Sequence, residues 1–318
     1  MEPLPVLHSP APPHDRADWV ARHRAPIREL LAGRGAVLVR GLAVASAGEL
    51  ADVAAALGVA PMTEREGFAP RMAHPRGVYS ASQWPADEAM CMHHELSYAA
   101  EVPGLLMFAC LRAAREGGDI AVADSQELLG RLPAAPLERF TREGWLLTRV
   151  YHEAGVAWQQ AFGTGSRSAV AEYCAAAGIE HEWLPDDRLV TRQRRAAVVH
   201  HPATGRPAWC NQIAFLNEHT LDPAVREYLL DLYGALPFNT AYGDGGELER
   251  SVVDAINDAY RAGTAGEPWR DGDLLLIDNI RMAHARDPYR GEREILTMLA
   301  EPVRLTGHVL AASAAQGG

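Results

Sequence analysis

The sequence has no run of about 18 apolar residues, and Met1 to Ala11 hold an early glutamate and several prolines in place of a basic segment followed by an apolar stretch. Neither a membrane span nor a secretion signal is expected, and the chain reads as cytoplasmic. Cysteine is scarce: Cys91, Cys110, Cys174 and Cys210 are widely spaced and form no C-x-x-C pair, which fits reduced thiols better than a disulfide framework. Cys91 and Cys110 sit in apolar stretches and read as small core residues. A basic excess is also missing. The 30 Lys and Arg stand against 41 Asp and Glu, a formal charge of −11, so nucleic acid would be repelled by the average surface. HExxH, GxSxG, Walker and GxGxxG motifs are absent, which removes the usual support for hydrolase and nucleotide-binding readings.

What is present is 318 residues, 48% of them apolar, enough to bury a sizeable core. No internal repeat and no linker divides them, so residues 1–318 read as a single domain with a frayed tail over 311–318. Residues 1–60 form an N-terminal extension. Asp15 or Asp18 caps a helix running to about Ala32, "GRGAVLVRGL" reads as a buried strand, and a second helix covers about Ser46 to Leu57. Short apolar runs then follow, separated by Gly, Pro and Asp: "GVYSAS", "GLLMFACL", "DIAVAD", "WLLTRVY", "RAAVVHHP", "DLLLIDNIRMAHA" and "REILTMLAEPV". Helices are expected at Ser125 to Leu132, Ser166 to Ala177, Asp222 to Tyr233 and Leu248 to Ala262. The pattern predicts a mainly β fold, a barrel or sandwich with helical insertions. The basic run "RQRR", Arg192 to Arg195, reads as a solvated loop.

The chemistry concentrates in "CMHHELSY", residues 91–98. An iron that must bind both a bidentate organic acid and dioxygen needs three protein ligands on one face, two histidines and a carboxylate. In extended backbone residues i and i+2 share a side. His93 and Glu95 can therefore chelate one ion while His94 points away. The best candidate for the third ligand is His284, in "LLLIDNIRMAHARDPYRGEREILTM", where an apolar strand would deliver it rigidly. Taken alone an H-x-E triplet arises easily in a chain with 13 histidines. His152, His200, His201 and His219 compete, although His200 and His201 precede a Pro-Ala-Thr-Gly turn and read as a polar strand end.

From about Val78 to Pro302 the chain resembles the taurine dioxygenase (TauD/TfdA) family of iron(II)- and 2-oxoglutarate-dependent oxygenases. It is most similar to the branch of amino-acid β-hydroxylases of peptide natural-product biosynthesis. Six ordered blocks carry the resemblance: "YSASQWPADEAMCMHHELSY", "PGLLMFACLRAAREGGDIAVADSQEL", "AWQQAFGTGSRSAVAEYC", "HPATGRPAWCNQ", "FNTAYGDGGEL" and "PWRDGDLLLIDNIRMAHARDPYRGERE". It implies a double-stranded β-helix, the jelly-roll or cupin-like barrel, against which residues 1–60 would pack. It makes His93, Glu95 and His284 the iron ligands and Arg293 the residue that grips the distal carboxylate of 2-oxoglutarate, a role suited to a planar guanidinium fork. Two positions depart from the family pattern. Ile120 stands where the family has a threonine bonded to that carboxylate, and Thr297 stands where taurine-specific members place a second arginine, so a sulfonate substrate is not expected.

The reaction implied couples dioxygen and 2-oxoglutarate, with ascorbate as reductant in vitro, to hydroxylation of a C–H bond and releases succinate and carbon dioxide. Desaturation and cyclisation use the same residues. Halogenating relatives lack the carboxylate that Glu95 supplies. The expected substrate is amino-acid-like, free or tethered to a carrier protein, and its candidate contacts are Tyr98, Ser97, Gln83, Asn211, Arg149 and Arg286. Two rival readings keep the ligand set: an iron enzyme that does not use 2-oxoglutarate, and a non-catalytic metal-binding barrel.

Overall fold

The structure is a computed structural model that describes residues 2–10, 15–152 and 155–305; the side chains of Ile120 and Asp186, and the expected tail over 311–318, lie outside the described residues. Its framework is a seven-stranded sheet in the order Val6–His8, Ala36–Arg40, Leu274–Asp278, Val102–Arg112, Glu294–Val303, Val78–Ser80 and Ala73–His74. Both faces of this sheet are covered, which is why its strands read as unbroken apolar runs. Val37, Val39, Met107, Leu274, Leu276 and Met298 point outward and are buried beneath the helices Arg16–Arg22, Arg24–Arg34 and Ala47–Ala56. The alternate residues Leu38, Leu106, Phe108, Leu275, Ile277 and Ile295 point inward.

The inward face packs against a four-stranded sheet ordered Thr264–Gly266, Ile120–Asp124, Met282–Arg286 and Met90–His93, whose Val122, Ala123, Met282 and Met92 join the same core. A second four-stranded sheet, Glu180–Trp183, Leu189–Arg195, Trp145–Tyr151 and Phe238–Tyr242, is backed by the helices Trp158–Phe162 and Arg167–Ala177. Each of these sheets is open. Among the described residues no helix is long and apolar enough to cross a membrane, and all four cysteines are unpaired.

Several elements differ from expectation for local physical reasons. The first expected helix is two, parted at His23, because Pro26 has no N–H to bond the Arg22 carbonyl and its ring would crowd it. Ser46 caps the next helix, accepting from the Glu49 N–H at 3.2 Å. "RQRR" is part of the strand Leu189–Arg195 and not a loop; Gln193 is buried while Arg192 and Arg194 face out, the alternation a strand imposes. The helix Ala134–Glu143 was not expected.

The run "DLLLIDNIRMAHA" is two strands in two different sheets, joined by a turn at residues 279–281. Asp278 Oδ1 closes the turn by accepting from the N–H groups of Ile280 and Arg281, both at 3.1 Å. Asn279, fully buried, makes the turn a clamp. Its Oδ1 accepts from the Glu95 N–H at 2.9 Å, and its Nδ2 donates to the carbonyls of Glu95 and Pro103 at 2.9 and 2.8 Å. Replacing Asn279 by Ala strands three buried backbone groups, so Asn279→Ala should lower unfolding free energy by about 2 to 4 kcal/mol, read as a reduced urea midpoint with an unchanged slope.

Candidate active site

His93 ends the strand Met90–His93 and His284 lies mid-strand in Met282–Arg286; the two are directly paired across the ladder. A turn follows His93 at once, with Leu96 fully buried in a left-handed conformation (φ 52°). Asn279 holds this turn by both backbone groups of Glu95, so the carboxylate comes round to the side of the two imidazoles. Glu95 Oε2 lies 3.9 Å from the Nε2 atoms of both His93 and His284. Among the described residues, these three form one group whose ligand atoms all lie within 4.8 Å of one another. Such spacings approach the span of two metal–ligand bonds of about 2.1 Å each.

The chemistry of these atoms fits a metal. His93 Nδ1 is 2.8 Å from the Cys91 carbonyl, which fixes the proton there and leaves Nε2 as the lone-pair nitrogen. His93 Nε2, Glu95 Oε1 and His284 Nδ1 are buried without a hydrogen-bond partner, a state that proteins rarely tolerate. Burial pushes the proton affinity of His93 down, and burial together with the neighbouring His93 pushes that of His284 well down; both imidazoles are held in the neutral form that binds a cation. His94 faces the other way, with Nδ1 against the Asn279 carbonyl and Nε2 2.6 Å from Ser125 Oγ, and burial lowers its pKa to about 4. His94 is thus a neutral structural residue that braces the same turn.

The triad opens onto a small cavity of about 40 Å³ that is also lined by Arg71, Arg286, Arg293, Phe108 and Thr297. Phe215 stacks on the His93 ring at 4.5 Å, and Phe68 meets it edge-on. Arg293 enters past the glycine pair of "EGGD". Its Nε donates to the Gly118 carbonyl at 2.9 Å, and a side chain at Gly118 (φ 75°) would press to 3.0 Å on the arginine. No carboxylate bonds Arg293 among the described residues. Burial, reinforced by the charge of Arg286, pulls its pKa down to about 10. A buried cation without an anion costs free energy until one arrives.

The residues predicted to contact substrate are placed unevenly. Arg286 lines the cavity but spends its guanidinium on the carbonyls of Trp84, Pro85 and Glu88. Arg149 donates to the carbonyls of Glu66 and Gly67 at 2.6 and 2.9 Å, and the Tyr98 hydroxyl also donates to Glu66 O. Asn211 bonds Ala197 O and the Ile213 N–H, Ser97 is buried in the turn behind Glu95, and Gln83 lies just past Ser82, its N–H on Pro70 O. None of these five lines the cavity. The rival histidines are likewise engaged elsewhere: His201 with Asp278 at 2.8 Å, His219 with the Leu248 carbonyl, His152 stacked on Tyr233. Sequence reasoning missed Arg71, Phe215 and Asn279. Only Asn279 carried a signal, an Asp-Asn turn pair interrupting an apolar run.

Two imidazoles and one carboxylate at the meeting of two strands and a turn match in composition the facial ligand set of mononuclear metal oxygenases and could hold such an ion. The profile of the taurine catabolism dioxygenase TauD, TfdA family matches residues 7–299, and the chain belongs to that family. It is thereby a dioxygenase, and the cofactors of the class are iron(II) and 2-oxoglutarate. The dapdiamide synthesis protein DdaC of Enterobacter agglomerans is 32% identical over 281 residues, 87% of this chain and 85% of its own. A clavaminate synthase-like protein of Arabidopsis thaliana is 26% identical over 94% of this chain and 90% of its own. The fold is similar to that of PvcB from Pseudomonas aeruginosa (TM-score 0.53, 16% identity, 96% of this chain and 91% of that one).

Metal should stabilise the folded protein by linkage, by about 2.7 kcal/mol at a hundredfold excess over Kd. Thermal unfolding with cobalt(II) or iron(II) under anaerobic conditions should show this rise in the wild type, its reversal by chelator, and its loss in Glu95→Ala.

Proposed function

We propose that this enzyme hydroxylates an unactivated C–H bond of an amino acid or amino-acid-derived metabolite, within a single domain built as a double-stranded β-helix. His93, Glu95 and His284 would hold the iron and Arg293 the distal carboxylate of 2-oxoglutarate. The observation that carries this reading is one cavity lined by a buried two-histidine, one-carboxylate triad and by the half-buried Arg293 guanidinium, which no acid bonds among the described residues. Iron with 2-oxoglutarate and dioxygen supplies the oxidising power, and succinate and carbon dioxide leave. The protein's own part is positional. Arg293 orients the co-substrate through a planar fork, the Phe68, Phe108 and Phe215 rings keep water from the reacting face, and the backbone clamp at Glu95 keeps the ligands on one side.

The substrate class is supported by the names of the relatives: one belongs to dapdiamide synthesis, and the fold neighbour PvcB is described as an Fe, alpha-ketoglutarate dependent oxygenase from an isonitrile synthetic pathway. A role in making a small specialised metabolite follows. Thr297 in the cavity wall offers a hydroxyl where a sulfonate would need a cation. Free amino acids and their carrier-tethered thioesters are the two forms to be compared.

With iron(II), ascorbate and 2-oxoglutarate in air, a substrate from an amino-acid panel should stimulate succinate release, and His284→Ala should abolish it. Arg293→Gln should raise the KM for 2-oxoglutarate about 10- to 100-fold, as expected for losing charge-assisted bonds of about 1.5 to 3 kcal/mol. Unstimulated background turnover with every panel member, or an unchanged KM in Arg293→Gln, would refute the assignment.

A further inference from the structure

Arg71 lies on the segment leading into the strand Ala73–His74, outside every motif of the family resemblance, and its side chain is 5% exposed. Its guanidinium is only partly used. Nε donates to Ser82 Oγ at 2.9 Å and Nη2 to Glu95 Oε2 at 2.9 Å, with Glu64 Oε1 3.5 Å from Nε. Nη1 is buried with no partner at all. Across the same cavity Thr297 Oγ1 is also buried and unpartnered, on a side chain with no exposed surface. Two unmet donors, one of them cationic, therefore face a common space beside the metal ligands.

The other cations of the cavity are already accounted for. Arg286 gives Nη1 and Nη2 to three loop carbonyls and keeps only its Nε unpartnered, and Arg293 is assigned to 2-oxoglutarate. Three guanidiniums line the cavity against the single carboxylate of Glu95, and Glu64 is the one further acid in contact with Arg71. With a divalent metal and a doubly charged co-substrate bound, the site keeps a positive excess that a second anion would relieve. A carboxylate offers acceptor lone pairs to a guanidinium nitrogen and to a hydroxyl at once.

Resting on the oxygenase reading above, we propose that Arg71 is the substrate anchor: Nη1, assisted by Thr297 Oγ1, binds the carboxylate of an amino-acid-like substrate and so sets which carbon faces the metal. Thr297, four residues beyond Arg293, carries no charge, and Arg71 supplies a cation to the cavity from a different segment of the chain.

The test is binding, read without turnover. Anaerobic iron(II)-loaded protein saturated with 2-oxoglutarate is titrated with the common L-amino acids and with their carboxamides, following thermal unfolding and calorimetric Kd. At least one free acid should bind, its carboxamide at least tenfold more weakly. Arg71→Gln should raise the Kd of the acid at least tenfold and remove the preference over the amide, while 2-oxoglutarate affinity stays within twofold of wild type. Arg71→Lys should recover part of the preference. Thr297→Val removes only a hydroxyl and keeps the test open should Arg71→Gln fail to fold; it should weaken the acid severalfold and leave the amide unchanged. Equal binding of acids and amides, an Arg71→Gln variant with wild-type acid affinity, or binding of no free acid by protein that does bind 2-oxoglutarate would each overturn the proposal. Failure of the wild type to bind 2-oxoglutarate would instead remove the oxygenase reading and this inference with it.

Discussion

The grip of Asn279 on Glu95 is the constraint on which the site depends. Asn279 sits at the point where the chain leaves the seven-stranded sheet and crosses to the strand bearing His284, and its amide binds both backbone groups of Glu95. A single buried side chain thus fixes the Glu95 carboxylate relative to the strand of His284, while the ladder pairing sets His93 against His284. Protein interiors transmit displacement because they are close-packed. A slip at residue 279 would move the Glu95 carboxylate against the two imidazoles rather than the group as a body. His94, the non-ligand between them, adds its own bonds to Asn279 and Ser125 and serves the same brace.

The cavity is built at an electrostatic cost. Arg71 Nη1, Arg286 Nε, Thr297 Oγ1 and a nitrogen of each neutral imidazole are buried around the cavity without a partner. That pattern separates Arg149 from Arg71. Arg149 is buried too, yet its bonds to Glu66 and Gly67 and its position over Tyr151 use it fully inside the protein.

Glu66 explains why several plausible contact residues serve structure instead. It is fully buried with φ 58°, and its carboxylate accepts from Tyr173 and Gln193 while its carbonyl takes Tyr98 and Arg149. This knot ties the segment that carries Phe68 and Arg71 to the sheet of Trp145–Tyr151 and Leu189–Arg195. The side chains that looked free to meet a substrate hold the wall that the substrate would meet.

The β-rich class and the N-terminal helices were legible from the chain alone, because apolar periodicity and capping residues act over a few residues; the nearness of His93 and Glu95 was legible too, although a turn held by Asn279, and not extended backbone, brings the carboxylate to the imidazole. The apolar strand around His284 marked it as the best third candidate, and the six blocks of resemblance added Arg293. What only the tertiary structure decided was the break of "DLLLIDNIRMAHA" across two sheets, the strand character of "RQRR", and the arrival of Arg71, Phe215 and Asn279 around the triad. Those depend on which strands pair and which loops pack over them. No local pattern encodes such contacts, since their free energy exists only once the distant segments meet.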